Sequence, residues 1–326
     1  MIRALAGVLG LAVTVVAAEP VRFEYARPHM GTIFRIVLYS SSEAAARGAA
    51  DAAFARIEAL DETLSDYRDS SETTRVSRAA GGPPVTVSED FYRVLRRSRA
   101  IASASGGAFD VTVGPLAVLW RSARRHSEVP GDEQIAAALA KVGDARIVLD
   151  ERQRTVALRV PGMQLDFGGI AKGFAADAAV AVLARHGITS ALVAAGGDIV
   201  ASGAPPGKEG WQVAVAGLGR DEAGSIVLRQ QAVSTSGDAE QFFEVNGVRY
   251  SHILDPRTGR ALTGRSSVTV VARDGTTSDS LATAVSVLGP DAGMRLVERT
   301  AGTAAKMIRD DGSGPRVYAS VRWVER

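Results

Sequence analysis

The sequence predicts an α+β protein in which mixed, mostly antiparallel sheets carry flanking helices. Apolar residues recur at helical spacing in several long segments of the first two thirds. From Trp211 onward the chain is mostly short alternating runs. Asn246-Gly247 between two of those runs is the strongest two-residue hairpin signal. The 326 residues allow one large domain or two intimate lobes, and no repeat, low-complexity tract or certain boundary divides them.

Residues 1–18 read as a signal peptide. Arg3 supplies the positive start, and Leu5 to Val16 is apolar but short of the ~20 residues a spanning helix needs. Val16-Ala17-Ala18 fits the small-residue rule, with cutting before Glu19; an uncleaved membrane anchor is the alternative. The mature chain, residues 19–326, is expected to be exported, periplasmic in a bacterium, without stable membrane insertion. Cysteine is absent, which excludes a disulfide framework, a thiolate metal site, a cysteine nucleophile and a lipid-modified cysteine. His29, His126, His186 and His252 are scattered and form no zinc motif. A net charge of +2 with no long basic run argues against nucleic acid. Arg93, Arg96, Arg97 and Arg99 spread around a helix as a solvated face.

Taken in order, Phe23 to Met30 is extended, and Ile33 to Tyr39 alternates as a strand. Ser41 or Ser42 caps a helix from about Glu43 to Leu64. A polar loop runs from Leu64 to Glu72, and Ser88 caps a helix that ends at Gly106-Gly107. Ala108 to Trp120 reads as a strand entering a turn at Gly114-Pro115, residues 121–131 as a mobile polar loop, and Asp132 to Val142 as a short helix. Arg146 to Val160 is a hairpin. Leu165 to Phe167 ends a strand, Gly168-Gly169 turns sharply, and a helix follows from Ile170 to Arg185 with Gly187 past its end. Beyond Ser190 to Ala194, a strand ending in Gly196-Gly197-Asp198, further strands are expected at 211–216, 225–228, 232–235, 241–245, 248–252 and 267–273. Thr277-Ser278 starts a helix that stops at Gly289-Pro290, and a hairpin around Asp311-Gly312 closes the chain.

The stretch from Leu165 to Asp177 concentrates the chemistry. A glycine turn opening a helix presents free N–H groups and the positive dipole end, a seat for phosphate, and Lys172 adds a cation. Asp166-Phe167-Gly168 spells the kinase metal-binding tripeptide, but no His-Arg-Asp loop or glycine-rich nucleotide loop precedes it. A P-loop needs Ser or Thr after its lysine, and Gly173 stands there. A plain strand-to-helix turn is the bland reading. Asp279 and Thr283 are four apart and share a helical face, with Leu281, Ala284, Val285 and Leu288 pointing to the core. A carboxylate and a hydroxyl together are hard ligands suited to Mg2+; alternatively, the acid favours the helix dipole and the threonine lies at the surface.

Leu165-Asp-Phe-Gly-Gly-Ile-Ala-Lys-Gly173 resembles the signature of the ApbE family, the FAD:protein FMN transferases. So do Met30-Gly31-Thr32, the Ser-x-Tyr segment around Tyr67, Ala108 to Trp120, Gly196-Gly197-Asp198, Ser234 to Gly237, and the run from His252 through Asp255-Pro-Arg-Thr-Gly259. The resemblance extends from Met30 to Gly289. It implies a fold with an FAD cleft between two lobes, and transfer of FMN from FAD to a Ser or Thr hydroxyl of an exported acceptor protein, releasing AMP. It further implies that Met30, Tyr67, Ala108, Phe109, Asp110, Asp166, Lys172 and Leu254 bind FAD. Asp279, Thr283 and the carbonyl of Gly169 would hold Mg2+, and Lys172 would stabilise phosphate oxygens. His252 is the candidate base, since imidazole accepts a proton near neutral pH. Asp255 either orients His252 or caps the Pro256 turn, and the turn is preferred. The lipobox cysteine of many members is missing, which bears on membrane tethering and not on chemistry. A Mg2+-dependent FAD pyrophosphatase and a non-catalytic flavin-binding protein are the rival readings.

Overall fold

The computed structural model describes residues 19–219, 222–238 and 241–325; the expected signal peptide lies outside them. An eight-stranded sheet forms the body, in the order β1 (Val21–His29), β2 (Thr32–Ser40), β6 (Ala191–Ala195), β7 (Asp198–Ala201), β10 (Gln231–Gly237), β14 (Arg265–Ala272), β15 (Ala304–Asp310) and β16 (Arg316–Ala319). Every pairing in it is antiparallel. The hairpin of β8 (Trp211–Ala216) and β9 (Glu222–Leu228) supplies Trp211, Val213, Val215, Ile226 and Leu228 to an apolar layer with Val37, Ala201 and Val233 of the sheet. Helices α1 (Glu43–Leu64), α6 (Ala171–Arg185) and α7 (Gly275–Arg299) contribute to the main core with the sheet residues Phe34, Ile36, Val193 and Val270. Phe34, Phe54, Ile57, Leu281 and Val285 are fully buried there, so apolar surface removed from water holds these layers together.

A second, smaller assembly joins α4 (Gly114–His126) and α5 (Asp132–Leu139) to a sheet of β11 (Phe242–Val245), β12 (Val248–Leu254) and β13 (Ala261–Thr263). Trp120 anchors it, its ring tilted 34° to that of Tyr250 and its indole N–H donating to the Gly259 carbonyl at 2.8 Å. Asn246 and Gly247 adopt left-handed backbone at φ 52° and 76°, as a two-residue hairpin with both centres at positive φ requires. Residues of α2 (Glu72–Arg78), β3 (Val85–Thr86), α3 (Glu89–Ala104), β4 (Ile147–Asp150) and β5 (Thr155–Leu158) complete the edge of the main core.

Several local expectations differ from the structure. Ala108 to Trp120 forms no strand: one isolated parallel bridge, Val113 to Gln164, stands where a strand was expected. Helix α4 then begins at Gly114 with Pro115 in its first turn, where a missing N–H costs nothing. The same helix absorbs residues 121–126 of the expected loop and ends at Ser127, which takes a left-handed φ of 52°. Leu165 to Phe167 is extended without a strand ladder; Leu165 N donates to Ser77 Oγ and Asp166 N to the Val111 carbonyl. Helix α7 starts at Gly275, capped by Asp274, and resumes after a break at Gly289 (φ 74°), with Pro290 opening the second half. Ser42, rather than Ser41, caps α1.

Candidate active site

The starts of α6 and α7 cross in contact, and this crossing builds the site. Gly173 of α6 lies so close to Gly275 that a methyl group there would collide with the Gly275 carbonyl oxygen and sit 2.9 Å from Cβ of Asp279. The Asp279 carboxylate therefore reaches the helix start and accepts from Gly173 N–H at 3.0 Å. The expected phosphate seat thus has one of its N–H groups already taken by the protein's own anion. Asp177, one turn along α6, accepts from Gly275 N at 2.6 Å and from Thr276 N and Oγ1 at 2.8 and 2.6 Å, which clamps α7 to α6.

Lys172 projects from the first turn of α6. Its ammonium lies 3.1 Å from Asp198 Oδ2, 4.0 Å from Asp279 Oδ2 and 3.3 Å from the Gly168 carbonyl. Burial opposes that charge, but the Asp198 and Asp279 carboxylates outweigh it and hold the lysine above its usual pKa. Asp279, 3 % exposed, is pushed up to about 7 by burial first and by the Asp198 charge second. Asp198 stands at the start of β7, also 3 % exposed. The sequence flagged it only as part of a family motif; the tight Gly196-Gly197 turn, with Gly196 at φ 62°, is what turns it toward Lys172.

Gly169 faces Thr283: a Cβ on Gly169 would lie 2.9 Å from Thr283 Oγ1 and 3.2 Å from the Phe109 ring. The glycine backbone and the threonine hydroxyl thus meet one helical turn along α7 from Asp279. Among the described residues no three His, Cys, Asp or Glu side chains converge as a metal cage. The donors here are instead a carboxylate, a hydroxyl and a backbone carbonyl, an all-oxygen set that fits Mg2+. A divalent cation also fits the electrostatics, because it would favour the charged form of a carboxylate that burial and Asp198 otherwise disfavour.

The smaller assembly brings His252, which is exposed near the end of β12. Its Nδ1 meets the Gln241 carbonyl at 3.1 Å. A carbonyl only accepts, so Nδ1 carries the proton and Nε2 keeps its lone pair. The ring reaches solvent, yet surrounding protein pushes its pKa below the usual 6.5, aided by Lys172 and Arg124 and opposed by the Gln241 bond. Asp255 does not orient this histidine: its carboxylate accepts from the N–H and guanidinium of Arg257 at 2.9 Å and its carbonyl caps Thr258 and Gly259, the turn role expected. Leu254 is half-buried in the same assembly.

The remaining candidates come from other segments, with Ala108 packed against Ile253 next to His252. Met30 sits in the β1–β2 turn at φ 47° and donates its N–H to Asp61 at 3.1 Å. Ala108 and Phe109 are buried, 1 % and 4 % exposed, which leaves mainly their backbone for a ligand. Asp110 is a turn staple: its carboxylate accepts from Thr112 N and Oγ1 and from Asp144 N, at 2.7 to 2.9 Å. Asp166 accepts from Gly168 N at 2.8 Å and from Arg121 at 2.7 Å. Arg121 also binds Asp66 at 2.5 Å and lies 4.4 Å over the exposed Tyr67 ring. Asp66 and Arg121 escaped the sequence reading, Arg121 because its stretch looked like a loop. An ammonium, hard oxygen donors and an oriented imidazole are the parts of a site for phosphoryl transfer.

The chain belongs to the ApbE family, whose sequence model matches residues 30–307. It is 36 % identical over 323 residues to the FAD:protein FMN transferase of Treponema pallidum, covering 93 % of this chain and 88 % of that protein. It is 32 % identical to the FAD:protein FMN transferase of Vibrio cholerae, covering 97 % and 96 %. Among solved structures, a mutant of the flavin transferase ApbE from Vibrio cholerae superposes with a TM-score of 0.83 at 31 % identity, over 93 % of this chain and 98 % of that one. The ApbE protein of Thermotoga maritima gives 0.83 at 33 % identity, over 92 % and 97 %.

Proposed function

We propose that this chain is an FAD:protein FMN transferase that moves FMN from FAD to a Ser or Thr hydroxyl of an acceptor protein. The observation that carries this reading is the His252 ring, with Nδ1–H committed to Gln241 and Nε2 left as an acceptor. The acceptor hydroxyl attacks the phosphorus on the FMN side of the pyrophosphate, and its proton passes to His252 Nε2. A new P–O ester bond forms, the pyrophosphate P–O bond breaks, and AMP leaves with the bridging oxygen. Lys172 stabilises the phosphate oxygens. Met30, Tyr67, Asp166, Leu254 and the backbone of Ala108, Phe109 and Asp110 line the FAD. Asp279, Thr283 and the Gly169 carbonyl would hold Mg2+, which would neutralise charge on the pyrophosphate.

The acceptor is read as an exported flavin-bearing subunit of a redox complex, and the place of action as the periplasm. The N-terminal apolar run supports that location. Among the described residues no helix is long and apolar enough to cross a membrane. Incubating the protein with FAD, Mg2+ and a candidate acceptor domain, followed by intact-mass spectrometry of the acceptor, tests the reading. A mass gain equal to FMN with AMP release is expected. AMP and free FMN with none of several acceptors modified would replace it with a pyrophosphatase.

A further inference from the structure

One guanidinium joins three separate segments of the FAD side of the site. Arg121 comes from α4, Asp66 and Tyr67 from the loop after α1, and Asp166 from the extended segment before α6. Arg121 Nη1 donates to Asp66 Oδ2 at 2.5 Å and Nη2 to Asp166 Oδ2 at 2.7 Å, while its Cζ lies 4.4 Å from the Tyr67 ring centroid. We propose that Arg121 is a positioning residue for FAD, setting the Asp166 carboxylate and the Tyr67 ring in one fixed relation. The inference rests on FAD binding at this site.

The chemistry of each partner leads there. Asp166 is held at both oxygens, Oδ1 by Gly168 N–H at 2.8 Å and Oδ2 by Arg121. Its free lone pairs then point in set directions and accept only N–H or O–H groups, which FAD offers on its imide, its adenine amine and its sugar hydroxyls. The same Gly168 bond ties Asp166 to the turn that carries Gly169 beside Thr283. Tyr67 is 77 % exposed, with Arg121 packed on one ring face. The other face is the one left for a planar ring, giving a stack of guanidinium, phenol and heterocycle. Only arginine does all of this at once: its planar fork reaches two carboxylates while its Cζ sits over an aromatic ring, and a lysine ammonium is a single point of charge. Arg121 touches neither the candidate base nor the candidate metal donors, so its effect belongs to binding and orientation of FAD rather than to the transfer step.

FAD binding by fluorescence titration, together with steady-state kinetics, tests this on the whole protein. The set is wild type, Arg121→Lys, Arg121→Met, Asp166→Asn and the Arg121→Met/Asp166→Asn double variant. Arg121→Met is expected to weaken FAD about 10-fold and to raise its KM correspondingly, with kcat within about threefold of wild type. Arg121→Lys restores only part of the affinity, and the double variant loses less than the product of the two single losses. FAD affinity within twofold of wild type in Arg121→Met would overturn the role, as would full restoration by lysine or strictly multiplicative losses. If Arg121→Met does not fold, Arg121→Lys and its double with Asp166→Asn carry the same comparison. A wild type that binds no FAD sinks the site assignment itself; a wild type that binds FAD with an indifferent Arg121→Met sinks only this inference.

Discussion

The Lys172 ammonium sits 3.1 Å from the buried Asp198 carboxylate and 4.0 Å from that of Asp279. One cation therefore serves two anions at the crossing of α6 and α7. The trio carries a net charge of about −1 while both carboxylates are ionised, so it has room for a divalent cation. Asp198 is the partner that keeps Lys172 aimed there.

Asp198→Asn is expected to lower kcat/KM about 10- to 100-fold, the range for removing a partner that orients a group in contact with a ligand. With one anion gone, less repulsion acts on Asp279, whose pKa falls from about 7 toward the ordinary carboxylate value. Steady-state kinetics and titration of the metal-free variant check the two effects separately. Unchanged kinetics would show that Lys172 needs no anchor.

For His252, the expected loss in His252→Ala is about 10²- to 10⁴-fold in kcat with FAD affinity little changed. Desolvation by the surrounding protein lowers the imidazole pKa below 6.5, so the proposed base stays deprotonated further into acid than a free histidine does. The acid limb of the kcat/KM profile therefore falls below pH 6.5. The same sign governs stability. Between the lowered pKa and 6.5 the unfolded chain binds the proton more readily, so this histidine costs stability as pH falls through that window. An acid limb above 6.5, or none in a reaction limited by chemistry, would exclude His252 as the base.

Asp279→Asn and Thr283→Ala address the metal. Chelation with EDTA should abolish transfer in wild type and added Mg2+ restore it. Thr283→Ala removes the proposed neutral donor and is expected to raise the Mg2+ concentration for half-maximal activity about 10-fold. Asp279→Asn removes the charge and is rescued by Mg2+ far less. Activity titrated against Mg2+ at saturating FAD distinguishes the variants, and full activity in EDTA would remove the metal from the reading.

Gly173→Ala tests the helix crossing. The added methyl meets the Gly275 carbonyl and Asp279 Cβ, neither of which is the free end of a flexible chain. Overpacking of this kind costs about 1–3 kcal/mol. The shift also moves Asp279 from the Gly173 N–H, so activity falls more than stability does. Urea unfolding with an unchanged m-value, set beside Mg2+-dependent activity, checks both parts.

Where the signal was local, the sequence was legible. Helical periodicity placed α1 and α6, and positive φ at Gly187 matches its expected place past the end of α6. Asn246-Gly247 located its hairpin, and the four-residue spacing of Asp279 and Thr283 put both on one face of α7. Glycine and proline around residue 114 misled, because the same pair that ends a strand also opens a helix. That error hid Arg121 in a supposed loop.

By itself, then, the sequence determined the main helices and hairpins, the α+β class and the identities of most candidate site residues. The helices, hairpins and class follow from short-range sterics, hydrogen bonding and the period of apolar burial, all written within a few residues, whereas most of the site candidates came from the likeness to a family. Only the tertiary structure decided that Gly173 N–H binds Asp279, 106 residues away, and that Arg121 joins Asp166 across 45. It also decided that Lys172 is shared between Asp198 and Asp279, and that the Gln241 carbonyl selects the His252 tautomer. Contacts of that range arise when packed layers bring distant backbone together, and no local pattern encodes which polar group will be left facing which.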